Sequence, residues 1–566
     1  MKFTYLGNIW KYLIRPYWTS EDRWKALGFL MGHLVFMGLF VGLTVRLNYL
    51  NNDLYNALQE FDSRAFFSAL GIYTAFAACA IIVYMLKSYF LQHLEIRWRQ
   101  WMTGHFLKGW LQERRYYKLQ LQGNGSDNPD QRIAEDVGHF ISQSLHIGLA
   151  FFQQILTLCS FLGILWSLSG VLRIPLGGYV FSIPGYMCWA AIAFAFGGTF
   201  FSYFFGKSLV KLNYENEKRE ANFRYSLVRF RENSESVAFY QGETKERKIF
   251  NTRFGHVVDN FYDIIRRMLV VNSWTSFYGQ VEHIFPFLLV VPRYFAKELT
   301  LGALMQTVSA CQKVNDALSF FINNFPSLAH WRATTDRLLE FKMNLDTMPP
   351  SEFSYKYHED TNIELACEEI ALPTGVLLQE GLHLTLKEGE DTLITGPTGI
   401  GKSTLARVAA GLWPYGKGEV RVPSASILFL PQKPYMPLGT LEEALCYPSS
   451  PESQKEALLS VLEKVGLGDF FPRLQEVNDW ARVLSLGEQQ RLAVARALLA
   501  KPRWLFLDEA TSSMNENTEA ELYQLLRYEL PETTLVSIGH RESLKAFHTR
   551  EISLGGAIPA FQKAVA

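Results

Sequence analysis

The segment Gly396-Pro397-Thr398-Gly399-Ile400-Gly401-Lys402-Ser403-Thr404 carries the densest chemistry in the chain. It fits GxxxxGK[ST], between an apolar β-rich run and a helical one. Glycines let consecutive backbone N–H groups turn inward around phosphate oxygens, and the helix N-terminus adds positive partial charge. Lys402 is expected to reach the β and γ phosphates and Ser403 to ligate Mg²⁺. Farther on, Trp504-Leu505-Phe506-Leu507-Asp508-Glu509 is an apolar strand ending in two acids. Asp508 suits the Mg²⁺ shell, and Glu509 is placed to orient or deprotonate an attacking water. Between them stands Leu484-Ser485-Leu486-Gly487-Glu488, ahead of a helix rich in Ala and Leu. Ser485 and Gly487 open that helix and offer a second phosphate-facing N-terminus. Its natural target is a nucleotide held by another copy of the chain.

Such groups must be positioned by a sheet. Asp391–Thr395, Ala425–Leu430, Trp504–Leu507 and Thr534–Ile538 read as strands alternating with helical patterns, which argues an α/β domain with a largely parallel sheet. This region is expected over 361–566. Residues 331–360, with Met348-Pro349-Pro350-Ser351, read as a linker.

Residues 1–330 have another character. Six apolar stretches are long enough to cross a bilayer: Ala26–Leu47, Ala65–Leu86, Phe140–Leu168, Pro184–Phe205, Met268–Val291 and Leu301–Phe325. The last two are the least hydrophobic. The second connection is basic, with Lys87, Arg97, Arg99, Lys108, Arg114, Arg115, Lys118 and Arg132, and the fourth, Lys207–Arg267, is denser still. That bias sets both termini in the cytoplasm. Helical spacing across Lys207–Arg267 implies that the spanning helices continue beyond the bilayer. Ionisable groups at membrane depth suggest function. Glu282, His283, Lys313 and Asp316 are expected to face a polar translocation cavity, with His33 and His146 as weaker candidates. The competing reading is a set of satisfied interhelical pairs or helix ends.

Composition agrees with two unlike halves. The chain has 566 residues, with 55 Lys+Arg against 55 Asp+Glu, so it lacks the positive field of a nucleic-acid binder. Charged residues are 19%, below the roughly 25% usual for soluble domains, and the mean hydropathy is +0.01. The cysteines Cys79, Cys159, Cys188, Cys311, Cys367 and Cys446 stand singly, as small buried hydrophobes do, with no metal-ligand spacing. The first 25 residues lack the pattern of a cleaved signal peptide.

The order of phosphate loop, Gln432, LSxGE signature, Asp508-Glu509 and His540 resembles the ATP-binding-cassette superfamily over about 200 residues. The resemblance implies two cassettes sandwiching two ATPs, each site pairing Lys402 of one copy with Ser485 and Gly487 of the other. It makes Gln432 a lid residue linking Mg²⁺ and water to the membrane domain, and His540 a γ-phosphate contact. Asn128–Asp136, Glu220–Arg224 and Asn233–Tyr240 are similar to cytoplasmic loops of the peroxisomal acyl-CoA transporter subfamily (subfamily D) and of bacterial SbmA/BacA-like permeases. Pro431–Leu441 and Asp479-Trp480 agree. The implied fold is a six-helix all-α transmembrane domain of the type IV (exporter-like) ABC fold, followed by an α/β P-loop ATP-binding cassette with a helical subdomain. A half-transporter working as a homodimer is implied, with a coupling helix at Glu235–Gly242 that includes Phe239 and Tyr240.

Three positions depart from the pattern. Leu486 replaces the usual signature glycine. Asn515 stands where Asp is usual, which removes a charge at the seam between copies. Glu369–Gly375 offers no aromatic for adenine stacking, only Leu372 or Pro373. Two function classes follow. One is ATP-driven transport of an amphipathic organic solute (fatty acyl compound, peptide or cobalamin-like) in contact with membrane lipids, as a multi-pass protein of the bacterial cytoplasmic (inner) membrane. The other is a membrane-anchored ATPase that regulates or gates a partner.

Overall fold

The computed structural model describes residues 2–121, 128–176, 179–320, 324–347, 352–450 and 455–555. The chain divides into two compact units, Met1–Lys108 with Asp127–Met343, and Gly109–Ser126 with Asn344–Ala566.

The first unit is built from long helices: Arg23–Gln59, Ser63–Leu111, Val137–Ser169, Tyr186–Glu232, Glu243–Phe295 and Leu301–Leu318. At 1.5 Å per residue, the 47 residues of Tyr186–Glu232 reach about 70 Å, well beyond a hydrocarbon core of about 30 Å. Among the described residues, four helices are long and apolar enough to cross a membrane: Arg23–Gln59, Ser63–Leu121, Pro129–Ser169 and Tyr186–Glu232. The expected fifth and sixth spans fall on Glu243–Phe295 and Leu301–Leu318, whose polar residues hold them below that threshold, and residues 321–323 of the sixth lie outside the described residues.

The third connection is a hairpin. Strand β1 (Val171–Leu176) pairs antiparallel with β2 (Tyr179–Pro184), with Val171 opposite Pro184. Gly185 closes it at φ +66°, where a side chain would strike the Trp166 ring. Arg293 donates Nη1 to the carbonyls of Leu168 and Ser169 at 3.0 and 2.9 Å, satisfying a helix end that has no partners of its own.

Between Arg23–Gln59 and Leu301–Leu318 runs an amide ladder. Asn52 donates to Gln306 Oε1 at 2.6 Å, Asn56 donates to Asn52, and Asn56 accepts from Gly302 N at 2.9 Å. A helix also occupies Phe325–Asp346, burying Leu338, Leu339, Phe341 and Leu345. Its Arg337 grips buried Asp136 with two bonds, at 3.0 and 2.8 Å, and Arg132 completes the triad. This corrects the linker expected at 331–360: most of that stretch is this helix and the first cassette strand, while Met348–Ser351 lie outside the described residues. The helix forms because Leu338, Leu339, Phe341 and Leu345 are buried along it, whereas the Pro-rich signal for a linker is confined to Met348–Ser351.

The second unit holds β3 (Phe353–His358), β4 (Ile363–Ala371), β5 (Leu377–Leu386), β6 (Thr392–Thr395), β7 (Gly416–Pro423), β8 (Ile427–Leu430), β9 (Gly439–Thr440), β10 (Val477–Asn478), β11 (Trp504–Asp508), β12 (Thr534–Ile538) and β13 (Arg550–Ser553). A parallel sheet has the order β13-β6-β12-β11-β8, and a second sheet the order β3-β7-β4-β5. Strand β12 is buried throughout and β11 over Trp504–Leu507, as expected of strands covered on both faces. One apolar core, with Phe353, Ile363, Val420 and Phe506, joins residues of the two sheets. The other gathers helices Leu441–Cys446, Lys455–Lys464 and Leu486–Ala500 around Trp480 and Leu492.

Candidate functional site

The parallel sheet brings four loops to its carboxyl edge, where open α/β sheets bind ligands. Strand β6 runs into Gly396–Thr404, β8 into Gln432, β11 into Asp508-Glu509 and β12 into His540. The register sets Asp508 beside Ile538, so the acids and the His540 loop leave the sheet together.

Gly396 stands at φ +146°, where an added Cβ would meet the Leu554 carbonyl at 2.6 Å, and Gly401 at φ +100° immediately precedes the helix Lys402–Ala409. Only glycine fits the first position, and the loop therefore folds close on itself. Thr398, Gly399 and Ile400 form its turn, with Ile400 N bonded to Pro397 O. Gln379 on β5 donates to the Ile400 carbonyl at 3.3 Å. Lys402 is buried and donates Nζ to the carbonyls of Gly396 and Pro397 at 2.9 and 3.0 Å. Burial lowers its pKa, opposed by the negative field of Glu509 and Asp508. Ser403 donates Oγ to Asp508 Oδ1 at 2.8 Å, while Thr404 lies buried behind it. Burial raises the Asp508 pKa, the Ser403 bond and nearby Arg407 oppose that, and the like charge of Glu509 adds to it.

Glu509 lies between the other two partners. Gln432 Nε2 donates to its Oε2 at 3.0 Å, and His540 Nε2 stands 3.5 Å from its Oε1. Its backbone has φ +48°, a strained conformation for glutamate, with its N–H held by the Ile538 carbonyl at 3.0 Å. The Ser403 hydroxyl and Asp508 carboxylate are paired hard oxygens, the donor chemistry that Mg²⁺ prefers.

The signature forms a separate helix start. Leu484 is buried, and Ser485 caps Leu486–Ala500 in a capping box with Glu488. Leu486 is 40% exposed, and Gly487 sits in the first turn. Asn515, where Asp is usual, caps Glu516–Glu529 by accepting from Thr518 N at 2.8 Å. The turn Leu372-Pro373, with a bond from Leu372 N to Val376 O, supplies aliphatic surface where an aromatic is usual.

Sequence reasoning missed three connectors. Fully buried Gln490 donates to the Gln432 carbonyl at 2.9 Å and accepts from Ser513 N at 3.1 Å. Glu519, also buried, accepts from Thr511 and from Arg541 Nη1 at 3.2 Å. Arg541 in turn holds the Ser512 carbonyl at 3.0 Å. For Gln490 and Glu519 the signal was a polar side chain within an apolar helical stripe, which ordinary capping or solvation would equally produce, and Arg541, in the loop after β12, carried none.

The other expected residues lie in the first unit. Ser234–Phe239 is a short helix carrying Glu235, and Phe239 and Tyr240 are 80% and 86% exposed. Glu282, His283, Lys313 and Asp316 lie on two neighbouring helices, Glu243–Phe295 and Leu301–Leu318, with Asp316 and His283 close enough to act on the Glu282 charge. Glu282 accepts from Asn315 Nδ2 at 2.5 Å, Asn315 accepts from Tyr278 at 3.0 Å, and His283 meets Gln312 at 2.9 Å. Lys313 and Asp316 are exposed, whereas Val314, Asn315 and Ala317 between and beside them are buried.

A glycine cradle, a lysine, an acid pair and a capped signature helix, fused to long apolar helices, define an ATP-binding cassette joined to a membrane domain. Residues 13–295 match the family described as ABC transporter transmembrane region 2, and 379–512 match ABC transporter. The chain belongs to the ABC transporters. It is 33% identical to ABC transporter D family member 2, chloroplastic, of Arabidopsis thaliana, over 99% of this chain and 88% of that one. To the inner membrane ABC transporter ATP-binding protein YddA of Escherichia coli it is 31% identical, over 94% of each. To the human lysosomal cobalamin transporter ABCD4 it is 29% identical, over 82% of this chain and 80% of the relative.

Proposed function

We propose that this chain is a half-transporter: two copies pair, each contributing six spans of an exporter-like fold and one cassette, and ATP hydrolysis drives an amphipathic organic solute across the bacterial cytoplasmic membrane. The observation that carries the reading is Glu509 held between Gln432 and His540 beside the Ser403–Asp508 pair, in one chain with apolar membrane helices. In this reading Gly396–Thr404 wrap the phosphates of ATP, and Lys402 exchanges its loop carbonyls for phosphate oxygens. Ser403, Asp508 and Gln432 would hold Mg²⁺, which neutralises charge on the phosphates when bound. Glu509 accepts the proton of the attacking water, and His540 contacts the γ-phosphate. Leu484–Glu488 of the second copy cover the nucleotide with the Ser485 and Gly487 backbone. Glu235, Phe239 and Tyr240 carry the signal between domains. Glu282, His283, Lys313 and Asp316 belong to the solute path. The solute is a fatty acyl compound, a peptide or a cobalamin-like molecule; the last is supported by the name of the human relative.

The test is ATP-dependent uptake into proteoliposomes with acyl-CoA, Pro-rich peptide and cobalamin in separate arms. Glu509→Gln should lower hydrolysis by about 10²–10⁴-fold while leaving nucleotide binding intact. Undiminished hydrolysis would remove Glu509 from the chemistry. Hydrolysis without movement of any solute would favour a membrane-anchored regulatory ATPase.

A further inference from the structure

A cavity of about 140 Å³ opens among three helices of the first unit, lined by His33, Tyr84, Lys87, Ser88, His146 and Gln153 together with aliphatic side chains. His33 comes from Arg23–Gln59, Tyr84, Lys87 and Ser88 from Ser63–Leu111, and His146 and Gln153 from Val137–Ser169. His33 and His146, separated by more than a hundred residues in sequence, therefore meet around one lysine. Lys87 is held in place: its Nζ donates to Gln153 Oε1 at 2.8 Å and lies 5.0 and 5.1 Å from the ring centres of Phe40 and Tyr84. None of these partners neutralises it, and among the described residues no carboxylate lies within ion-pair distance of Lys87. His33 is only 3% exposed, and its Nδ1 stands 2.9 Å from the Lys87 carbonyl, which fixes the ring and makes that nitrogen the donor. The Ser88 hydroxyl accepts from Gln92 at 3.5 Å and keeps its own hydrogen to give. His146 is anchored at 3.5 Å by Glu95, which does not line the cavity. The lining thus offers the Lys87 ammonium and the Ser88 hydroxyl as donors, carries its positive charge at Lys87, and has no acid among its residues.

Its position narrows the ligand. Lys87 directly follows the apolar stretch Ala65–Leu86 and opens the basic run that continues to Arg97, Arg99 and Lys108. On the span expected at Ala65–Leu86, that is the level where hydrocarbon would give way to headgroups. One turn toward the bilayer centre, on the face shared by Tyr84, Lys87 and Ser88, lies Ile81, 62% exposed, and Met85 beside it is 65% exposed. We propose that this cavity is a binding site for the phosphate of an anionic phospholipid. The phosphate sits against the Lys87 ammonium and the Ser88 hydroxyl, in the space that His33 and His146 wall, and an acyl chain lies along Ile81 and Met85. A basic pocket between spanning helices at the headgroup level is the general form of such a site.

The test uses the full-length chain in phosphatidylcholine nanodiscs doped with phosphatidylglycerol, with retained lipid counted by native mass spectrometry. The wild-type chain should retain phosphatidylglycerol in preference to phosphatidylcholine. Lys87→Gln should lower that retention about tenfold, the scale of one charge-assisted bond. Lys87→Arg should keep it, as should Lys25→Gln, which removes an exposed charge elsewhere at the membrane edge. Hydrolysis in phosphatidylcholine alone reports whether the Lys87→Gln chain is folded. If it is not, the test passes to Lys87→Arg, and loss of the lipid there overturns the proposal. Equal retention by Lys87→Gln and Lys25→Gln also overturns it. So does displacement of the lipid by inorganic phosphate at matching concentration, which would make this a site for soluble phosphate.

Discussion

Asp508 and Lys402 are displaced from their ordinary pKa values by the same cause, removal from water, in opposite directions. For Asp508 the folded pKa lies above the unfolded one, so at neutral pH its negative charge works against the fold. Asp508→Asn should therefore raise the melting temperature of the nucleotide-free cassette while abolishing Mg²⁺-dependent hydrolysis. A gain of 2–4 °C, the response of a domain of this size to about 1 kcal/mol, is the expected scale in differential scanning calorimetry. No change or a decrease would mean that the Ser403 bond outweighs desolvation. The same reasoning explains what was legible here. Gly396, Lys402, Ser403, Asp508 and Glu509 stand out because their chemistry is written in short local patterns. Gln490, Glu519 and Arg541 do not, since what matters about each is a partner far away in sequence.

At the scale of elements, Asn515 shows how a departure from pattern retains one task. It has lost a charge but still caps Glu516–Glu529. Asn515→Ala should cost about 1 kcal/mol and Asn515→Asp almost nothing, by chemical denaturation of the cassette. The strand β12 and the turn after it hold a pH-sensitive contact. His548 is partly buried, with Nδ1 2.7 Å from the Leu544 carbonyl and Nε2 2.8 Å from Ser537 Oγ. Burial, its largest influence, lowers its pKa below 6.5. The unfolded chain binds the proton more readily, so the contribution of neutral His548 is present above pH 6.5 and lost as pH falls below it. The cassette should melt at a lower temperature at pH 5.5 than at pH 7.5, and His548→Gln should flatten that difference; an unchanged slope would exclude His548 as its source. The β11 and β12 strands were legible as buried runs. The hairpin β1–β2, the Asn52–Asn56–Gln306 ladder and the helix Phe325–Asp346 were not, because each takes its stability from packing across the fold rather than from its own pattern.

At the scale of the whole molecule, the two compact units are not two consecutive pieces of chain. Gly109–Ser126 belongs to the same unit as the cassette. Arg114 donates Nη1 to the Ala410 carbonyl at 2.6 Å, at the end of the helix that begins with Lys402, and Leu121 packs against the core that holds Phe353 and Ile363. One hydrogen bond and one partly buried leucine together amount to roughly 1–3 kcal/mol. A cassette produced as Asn344–Ala566 alone should be less stable by that order than one fused to Gly109–Ser126, and Arg114→Ala should reproduce about 1 kcal/mol of the deficit in urea unfolding. Equal midpoints for the two forms would show that the segment only rests on the cassette.

That interleaving also bears on how the chain is made. Gly109–Ser126 leaves the ribosome on the order of tens of seconds before the cassette is complete, at ~5–20 residues per second. Throughout that interval Leu121 is without its partner core. If Arg114→Ala weakens the cassette as expected, a chain whose second helix is misthreaded would carry a less stable cassette, because Arg114 and Leu121 would then be missing from it.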